Sequence, residues 1–242
     1  MDSSVYIVLS RQLAQFQNME VTSNNIANIN TPGFNAQKLV FKQYLVDNGK
    51  TGSKDAYADA PYAYRDTSNG ALKNTGNPFD LAINGNGYFQ VETPNGVRYT
   101  RSGGFQMDAN GTIVTVDGYP VLGNDGSSIT IPQGSKNVEI NAIGQITADG
   151  QNVGQVGLVE FQNEQSLKRL GNSLYSSEET PQAATTAHMI QGSVEDSNVN
   201  GVTELVRVME LSRDFASSSK FIETAYDLER KTSATFTHKS TA

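Results

Sequence analysis

Apolar residues at Val5, Val8, Leu9, Leu13, Phe16, Met19 and Ile26, with small Ser23 among them, recur at three-to-four spacing and predict a helix over residues 3–30. Ser3 or Ser4 supplies its cap. Its stop is Asn30-Thr31-Pro32-Gly33, where a pre-proline residue meets a helix breaker. About 26 residues at about 1.5 Å each make a rod of roughly 40 Å. Only Asp2, Arg11 and Glu20 carry charge on it; Gln12, Gln15, Gln17, Asn18, Asn24, Asn25, Asn28 and Asn30 supply the polarity. A solvated face usually carries Lys and Glu, so this amide-rich face suits contact with protein on more than one side. A second helix is predicted over residues 201–236. Asn200 is placed to cap it and Glu204 lies in its first turn. Val202, Leu205, Val208, Met209, Leu211, Phe215, Ile222, Ala225, Tyr226 and Leu228 form a broad apolar stripe, interrupted by Ser217-Ser218-Ser219. Asp227 and Lys231 make an i,i+4 pair in the favourable order.

The pattern between the helices is different. Residues 79–175 show short apolar runs: Leu81-Ala82-Ile83, Tyr88-Phe89-Gln90-Val91, Phe105-Gln106-Met107, Ile113-Val114-Thr115-Val116, Val121-Leu122, Ile129-Thr130-Ile131, Val138-Glu139-Ile140 and Val156 to Phe161. Asn95-Gly96, Asn110-Gly111, Asp117-Gly118, Asp125-Gly126 and Asp149-Gly150 punctuate them, and such pairs reach positive φ easily. The expectation is a compact antiparallel sandwich or barrel. Residues 42–78, broken by Gly49, Gly52, Pro61, Gly70, Gly76 and Pro78, read as an extended connector with few β pairings. Residues 176–200, rich in Ser, Thr and Ala, read as a second connector. The expected organisation is therefore an assembly helix and motif at 1–34, a connector at 35–78, a β domain at 79–175, a connector at 176–200 and an assembly helix at 201–242. The fold class is mainly β with long terminal helices. Helices of this length are marginal alone in water. They pair as a hairpin within one chain or pack against other subunits, and the amide-rich first helix favours assembly.

Among its 242 residues, 25 are acidic and 18 basic, a net charge of −7. That sign argues against nucleic acid and anionic lipid as partners. Cysteine is absent, which removes disulfides and thiolate chemistry, and the two histidines, His188 and His238, lie in dissimilar segments. No run approaches the roughly 18 apolar residues that span a bilayer, so no membrane insertion is expected. The start lacks a basic and apolar secretory leader.

Chemical motifs dissolve on inspection. Gly49-Lys50-Thr51 mimics the tail of a phosphate loop, but position 44 is Tyr where a Gly is required. Gly85-Asn86-Gly87 begins a dinucleotide fingerprint, but position 90 is Gln and a strand follows. Asp108-Ala109-Asn110-Gly111 suggests a calcium loop, whose Gly would fall at Ile113. Carboxylate pairs for glycoside chemistry could be drawn from Asp80, Glu92, Asp108 and Glu139. Asp108 sits where turns expect Asp, and no Trp is present to stack on a sugar. No catalytic residue, cofactor or metal ligand is expected.

Longer stretches carry a resemblance. Ser23-Asn24-Asn25-Ile26-Ala27-Asn28-Ile29-Asn30-Thr31-Pro32-Gly33-Phe34 resembles the signature of flagellar axial proteins, the family of rod, hook and hook-associated subunits. Asn77-Pro78-Phe79-Asp80-Leu81-Ala82-Ile83-Asn84-Gly85-Asn86-Gly87-Tyr88-Phe89 and Tyr99-Thr100-Arg101-Ser102-Gly103-Gly104-Phe105 are similar to stretches of its rod and hook members. Gln191 to Asn200, ending Glu195-Asp196-Ser197-Asn198-Val199-Asn200, is similar to a fourth. Phe79 stands for the usual Leu, Asn35 for a Lys, and Ser193-Val194 for Tyr-Leu or Ser-Leu. Length and the opening Tyr6-Ile7-Val8-Leu9-Ser10-Arg11-Gln12 look most like the proximal-rod members.

The resemblance implies a structural subunit, exported unfolded by the flagellar type III apparatus without signal cleavage. It would polymerise in the periplasm with itself and related axial proteins into a torque-transmitting tube. The terminal helices would pair in that tube, with the β domain outside. Its implied assembly residues are Asn24, Asn25, Ile26, Ala27, Asn28, Asn30, Thr31, Pro32, Gly33 and Phe34, and towards the C-terminus Ser197, Asn198, Val199, Asn200, Leu205, Val208, Leu211, Phe215 and Ile222. In this reading Ile26 anchors the helix end between subunits, the Asn side chains satisfy orphan helix carbonyls, and Pro32-Gly33 turns the chain outward. A distal-rod or short hook protein is the alternative; a secreted carbohydrate-active enzyme is a remote one.

Overall fold

A computed structural model describes residues 3–40, 43–47, 54–58 and 62–239. They form two compact units. The helical unit comprises residues 1–27, 37–64 and 200–242; the β unit comprises 28–36 and 65–199.

The helical unit holds α1 (Ser3–Ala27), strands β1 (Gln37–Val40), β2 (Gln43–Asp47), β3 (Lys54–Ala58) and β4 (Tyr62–Arg65, the last residue in the β unit), and α2 (Gly201–Lys239). The two helices pack along each other within one chain. Buried or half-buried positions on α1 include the series Val8, Gln12, Gln15, Met19, Thr22 and Ile26, alongside Ile7, Ser10, Ala14, Asn18, Val21 and Asn25. On α2 they include the series Glu204, Val208, Leu211, Ser218, Ile222 and Ala225, with Phe215 in register at 38% exposure, alongside Gly201, Arg207 and Ser219. Both series step by four and three, as in a paired-helix seam. Gln12 Nε2 donates to Ser219 Oγ at 2.8 Å, and Arg11 approaches Asp214 at 3.7 Å. The Ser217–Ser219 interruption therefore meets an amide. β2 and β3 form an antiparallel hairpin from Gln43↔Ala58 to Asp47↔Lys54, and β1 lies beside β4. Within the connector expected over 42–78, residues 43–47, 54–58, 62–65 and 72–74 are strands, while residues 66–71 and 75–78 form no strand. No described helix is long and apolar enough to cross a membrane.

α1 ends at Ala27, three residues before the expected stop. Residues 28–31 form a turn in which Thr31 N–H donates to the Asn28 carbonyl at 3.1 Å and Thr31 Oγ1 to Asn28 Oδ1 at 3.2 Å. Pro32 disfavours helical backbone at Thr31, so the helix stops upstream of the proline.

The β unit opens with β5 (Leu72–Asn74), β6 (Leu81–Asn84), β7 (Tyr88–Thr93), β8 (Gly96–Thr100), β9 (Phe105–Met107) and β10 (Ile113–Thr115). It continues with β11 (Val138–Ile140), β12 (Gln145–Ala148), β13 (Gln151–Gln155), β14 (Leu158–Glu160), β15 (Lys168–Gly171) and β16 (Leu174–Ser176). β17 (Gln182–Ala183), β18 (His188–Gln191) and β19 (Ser193–Glu195) complete it. Six strands form one sheet in the order β15-β16-β8-β7-β14-β17. The others pair as β9-β10, β11-β12-β13, β18-β6 and β19-β5, and no closed barrel forms among the described residues. Alternation on β7 sets two cores. Phe89 and Val91 join Leu81, Ile83, Phe105, Ile113, Val121, Ile131 and Ile146. Tyr88, from the opposite face, joins Tyr99, Val159, Phe161, Leu167 and Tyr175, with edge-to-face ring pairs at 4.9–5.9 Å.

Residues 176–200, expected to be a connector, contain three strands. β18 pairs with β6 from His188↔Asn84 to Gln191↔Leu81, and β19 pairs with β5. Met189 and Val194 are buried. Their short runs lack local periodicity, because their partners lie about a hundred residues earlier in the chain.

Candidate functional site

Charged residues that fold into a protein interior need partners, and Arg101 and Glu195 are both buried. Arg101 follows β8, and Glu195 ends β19. Arg101 Nε donates to Glu195 Oε2 at 2.6 Å, Nη1 to the Gly87 carbonyl at 2.8 Å, and Nη2 to the Gly85 carbonyl at 2.7 Å and Asn69 Oδ1 at 2.9 Å. Glu195 Oε1 accepts the Gly70 N–H at 2.8 Å, and the Glu195 carbonyl accepts the Gly33 N–H at 2.8 Å. One ion pair thus ties five chain segments together. The glycines permit the approach: a Cβ on Gly33, whose φ is +66°, would stand 2.4 Å from the Arg101 carbonyl carbon. One on Gly70 would meet the Asp196 carbonyl oxygen at 1.8 Å.

Asn198 extends the junction. Its Oδ1 accepts the Ala36 N–H at 2.7 Å, and its Nδ2 donates to the Asp66 and Ser68 carbonyls, both at 2.8 Å. Asn35 Nδ2 also reaches the Asp66 carbonyl at 3.2 Å. Phe34, fully buried, packs with Ala36, Val199 and Ile29, and the Arg169 guanidinium lies 4.1 Å from its ring centroid. Burial pulls Arg169 below the ordinary arginine range. Ser197 Oγ accepts the Val199 N–H at 3.2 Å.

The four resembling stretches therefore converge in the β unit: Gly33 and Phe34 from the first, Gly85 and Gly87 from the second, Arg101 from the third, Glu195 and Asn198 from the fourth. The Arg101 and Glu195 charges pair with each other inside a packed interior, so the arrangement holds chain segments together. Asp80 and Asp108 accept hydrogen bonds from neighbours within their own turns, Glu139 on β11 accepts one from Asn137, and Glu92 is exposed. No cluster of three metal-ligating side chains occurs among the described residues.

The remaining expected residues lie in the helical unit or its flanking turn. Asn25, 1% exposed, clamps the backbone of Gln37: its Nδ2 donates to the carbonyl at 2.8 Å and its Oδ1 accepts the N–H at 2.9 Å. This corrects the expectation that it serves orphan helix carbonyls; it acts as a strand-like partner for β1. Ile26 is half-buried, Asn24 and Ala27 are exposed, and in the turn Asn30 is exposed and Pro32 half-buried. Asn200 caps α2, its Oδ1 accepting the Thr203 N–H at 3.1 Å. Val208, Leu211 and Ile222 line the helix seam, while Leu205 is 55% exposed.

Both helices carry apolar side chains that the seam leaves uncovered. Leu9, Leu13 and Phe16 stand at 46%, 61% and 54% exposure on α1. Val202, Leu205, Val206, Met209, Phe221 and Tyr226 are exposed on α2. The formal excess of negative charge, −7, falls wholly within residues 28–36 and 65–199, and the rest of the chain is balanced.

Sequence reasoning missed Arg101 and Glu195 as a pair. The available signal was one Arg and one Glu inside apolar, glycine-rich stretches of a weakly charged chain.

Three family profiles match: "Flagella basal body rod protein" over residues 6–35, "Flagellar hook protein FlgE/F/G D1 domain" over 82–148, and "Flagellar basal body rod FlgEFG protein C-terminal" over 190–235. The chain is 34% identical to flagellar basal-body rod protein FlgF of Mesorhizobium japonicum, covering 90% of this chain and 91% of that one. It is 34% identical to FlgF of Caulobacter vibrioides (95% and 96% covered) and 35% identical to FlgG of Bacillus subtilis (87% and 90%).

Proposed function

The chain belongs to the flagellar basal-body rod family, and on that premise we propose that it builds the proximal segment of the rod by packing its helical unit against other axial subunits. A structural rod subunit at the flagellar basal body, most like FlgF, is the part the relatives establish. The finer reading rests on one observation. Leu9, Leu13 and Phe16 recur at i, i+4 and i+7 on a face of α1 outside its seam with α2, and they stay exposed. Balanced charge in that unit removes the repulsion that would oppose stacking many copies. The acidic β unit is then the part suited to face solvent.

In this reading the chain crosses the inner membrane through the flagellar export apparatus without a cleaved leader and joins self and related axial proteins in the periplasm. Its assembly face is built from Leu9, Leu13 and Phe16 on α1 and Leu205 on α2, while Asn25, Val208, Leu211 and Ile222 hold the helical unit itself together. Gly33, Phe34, Arg101, Glu195 and Asn198 hold the β unit's own segments. A distal-rod position is the second reading, favoured by the FlgG relatives. Electron cryotomography of basal bodies carrying a density tag on this chain separates them. Density at the motor-proximal end supports the proposal, and density next to the hook supports the alternative.

A further inference from the structure

The six-stranded sheet ends on β17, and this edge borders a cleft of about 330 Å³. Ala142, Ile143, Leu158, Ala183, Ala184 and Ala187 line it, with His188 beside them and no Asp, Glu, Lys or Arg. A second cleft of about 560 Å³ shares Asn124, Ile143 and Gln155 with the first. Amide, hydroxyl and backbone groups dominate its lining, and Asp125 is its one charged side chain. Together they make one groove, small and apolar at the β17 end and polar at the other.

The register decides what the edge offers. Val159 opposes Ala183, Glu160 opposes Gln182, and the Ala184 N–H donates to the Leu158 carbonyl at 3.1 Å. Hydrogen-bonded and non-hydrogen-bonded pairs alternate along an antiparallel ladder. Gln182 and Ala184 therefore turn their backbone groups to β14, and Ala183, which lines the first cleft, turns its N–H and C=O away from β14. Pro181 blocks pairing upstream, so the open register begins at Ala183.

We propose that this groove takes an extended peptide segment of a partner protein, free of acidic residues, which adds as a strand to β17 through Ala183. Backbone hydrogen bonds supply the grip, and the alanine-lined floor leaves room for an apolar side chain on alternate positions. Charge sets the sign of the ligand. The β unit carries the whole net charge of −7, Asp125 lines the polar half, and Glu160 lies on the neighbouring strand. An acidic segment is repelled, and a neutral or basic one is not.

The test uses the full chain and a capped synthetic peptide, acetyl-Lys-Val-Thr-Val-Thr-Lys-amide. Saturating peptide should slow hydrogen exchange at the Ala183 amide by about tenfold or more, with little change at Ala184, which is already bonded. N-methylation of alternate peptide residues, or Glu in place of both Lys, should weaken binding by about tenfold or more. Ala183→Pro should weaken it as much and leave the melting temperature near that of the parent, because no ladder bond is lost. The proposal is overturned if Ala183 stays unprotected at millimolar peptide, or if the N-methylated peptide binds equally well. It is also overturned if a neutral oligosaccharide, chitotetraose, shifts Asn124 and Asn152 while the peptide shifts nothing. The exchange measurement on the parent chain decides the matter even if Ala183→Pro does not fold.

Discussion

Glu195→Ala should destabilise the β unit by about 3–5 kcal/mol, the usual cost of breaking a buried ion pair by deleting one partner. The substitution strands the Arg101 guanidinium, 6% exposed, with its Nε unpartnered, and also removes the acceptor of the Gly70 N–H. The carbonyls of Gly85 and Gly87 and the Asn69 amide still hold Nη1 and Nη2, which keeps the cost from rising further. Urea unfolding followed by tyrosine fluorescence suits the assay, since ten tyrosines and no tryptophan are present. The double variant Arg101→Met with Glu195→Met should cost less than the sum of its two single changes, because no charge is left buried. A Glu195→Ala cost under about 1 kcal/mol, with additive singles, would refute the view that this pair organises the junction.

Gly33→Ala should cost about 2–4 kcal/mol, since the new Cβ meets Arg101 backbone at 2.4 Å at a φ of +66°. Gly96→Ala, at φ +94° with nothing nearer than 4.0 Å, should cost only about 1 kcal/mol; equal melting shifts for the two would contradict the packing argument. Asn25→Ala should release β1 from α1, seen as faster exchange at the Gln37 amide, which donates to Asn25 Oδ1 at 2.9 Å. Burial raises the Tyr88 phenol well above its ordinary range, with Glu164 adding to the effect. A raised folded value means stability is complete below the unfolded pKa, near pH 10, and falls as pH rises above it. Tyr88→Phe should therefore flatten the loss between about pH 10 and 12, and an unchanged alkaline slope would count against it.

Local chemistry explains which elements were legible in the chain. The Asn200 cap and the helical span of α2 depend on neighbours within a few residues and stand where the periodicity puts them. The expected stripe divides: Val208, Leu211, Ile222 and Ala225 are half-buried, while Val202, Leu205, Met209, Tyr226 and Leu228 are exposed. At Asn95-Gly96 the reading was close. Thr93 pairs with Gly96, so the loop is Pro94-Asn95 and the positive φ of Gly96 opens β8. β18 escaped notice because its partner β6 lies far away in sequence and the intervening Ser, Thr and Ala carry no period. The end of α1 was placed late because Asn side chains suit both helix and cap, and only the distant Gln37 decides what Asn25 does. The Arg101–Glu195 junction joins residues 85, 87 and 195 to Arg101 and residues 33 and 70 to Glu195, a set that no window along the chain contains.

The central claim is that the uncovered face of α1 is an assembly surface. Leu13, 61% exposed in the isolated chain, makes few contacts there to lose, so Leu13→Asp should leave folding stability within about 0.5 kcal/mol of the parent. In a contact with another subunit the same change buries an unpaired carboxylate. Basal bodies purified from cells whose only copy is Leu13→Asp provide the most direct measurement. The account predicts folded, exported protein, rods that stop short of this subunit's level, and non-motile cells. Complete rods with normal swimming would contradict it.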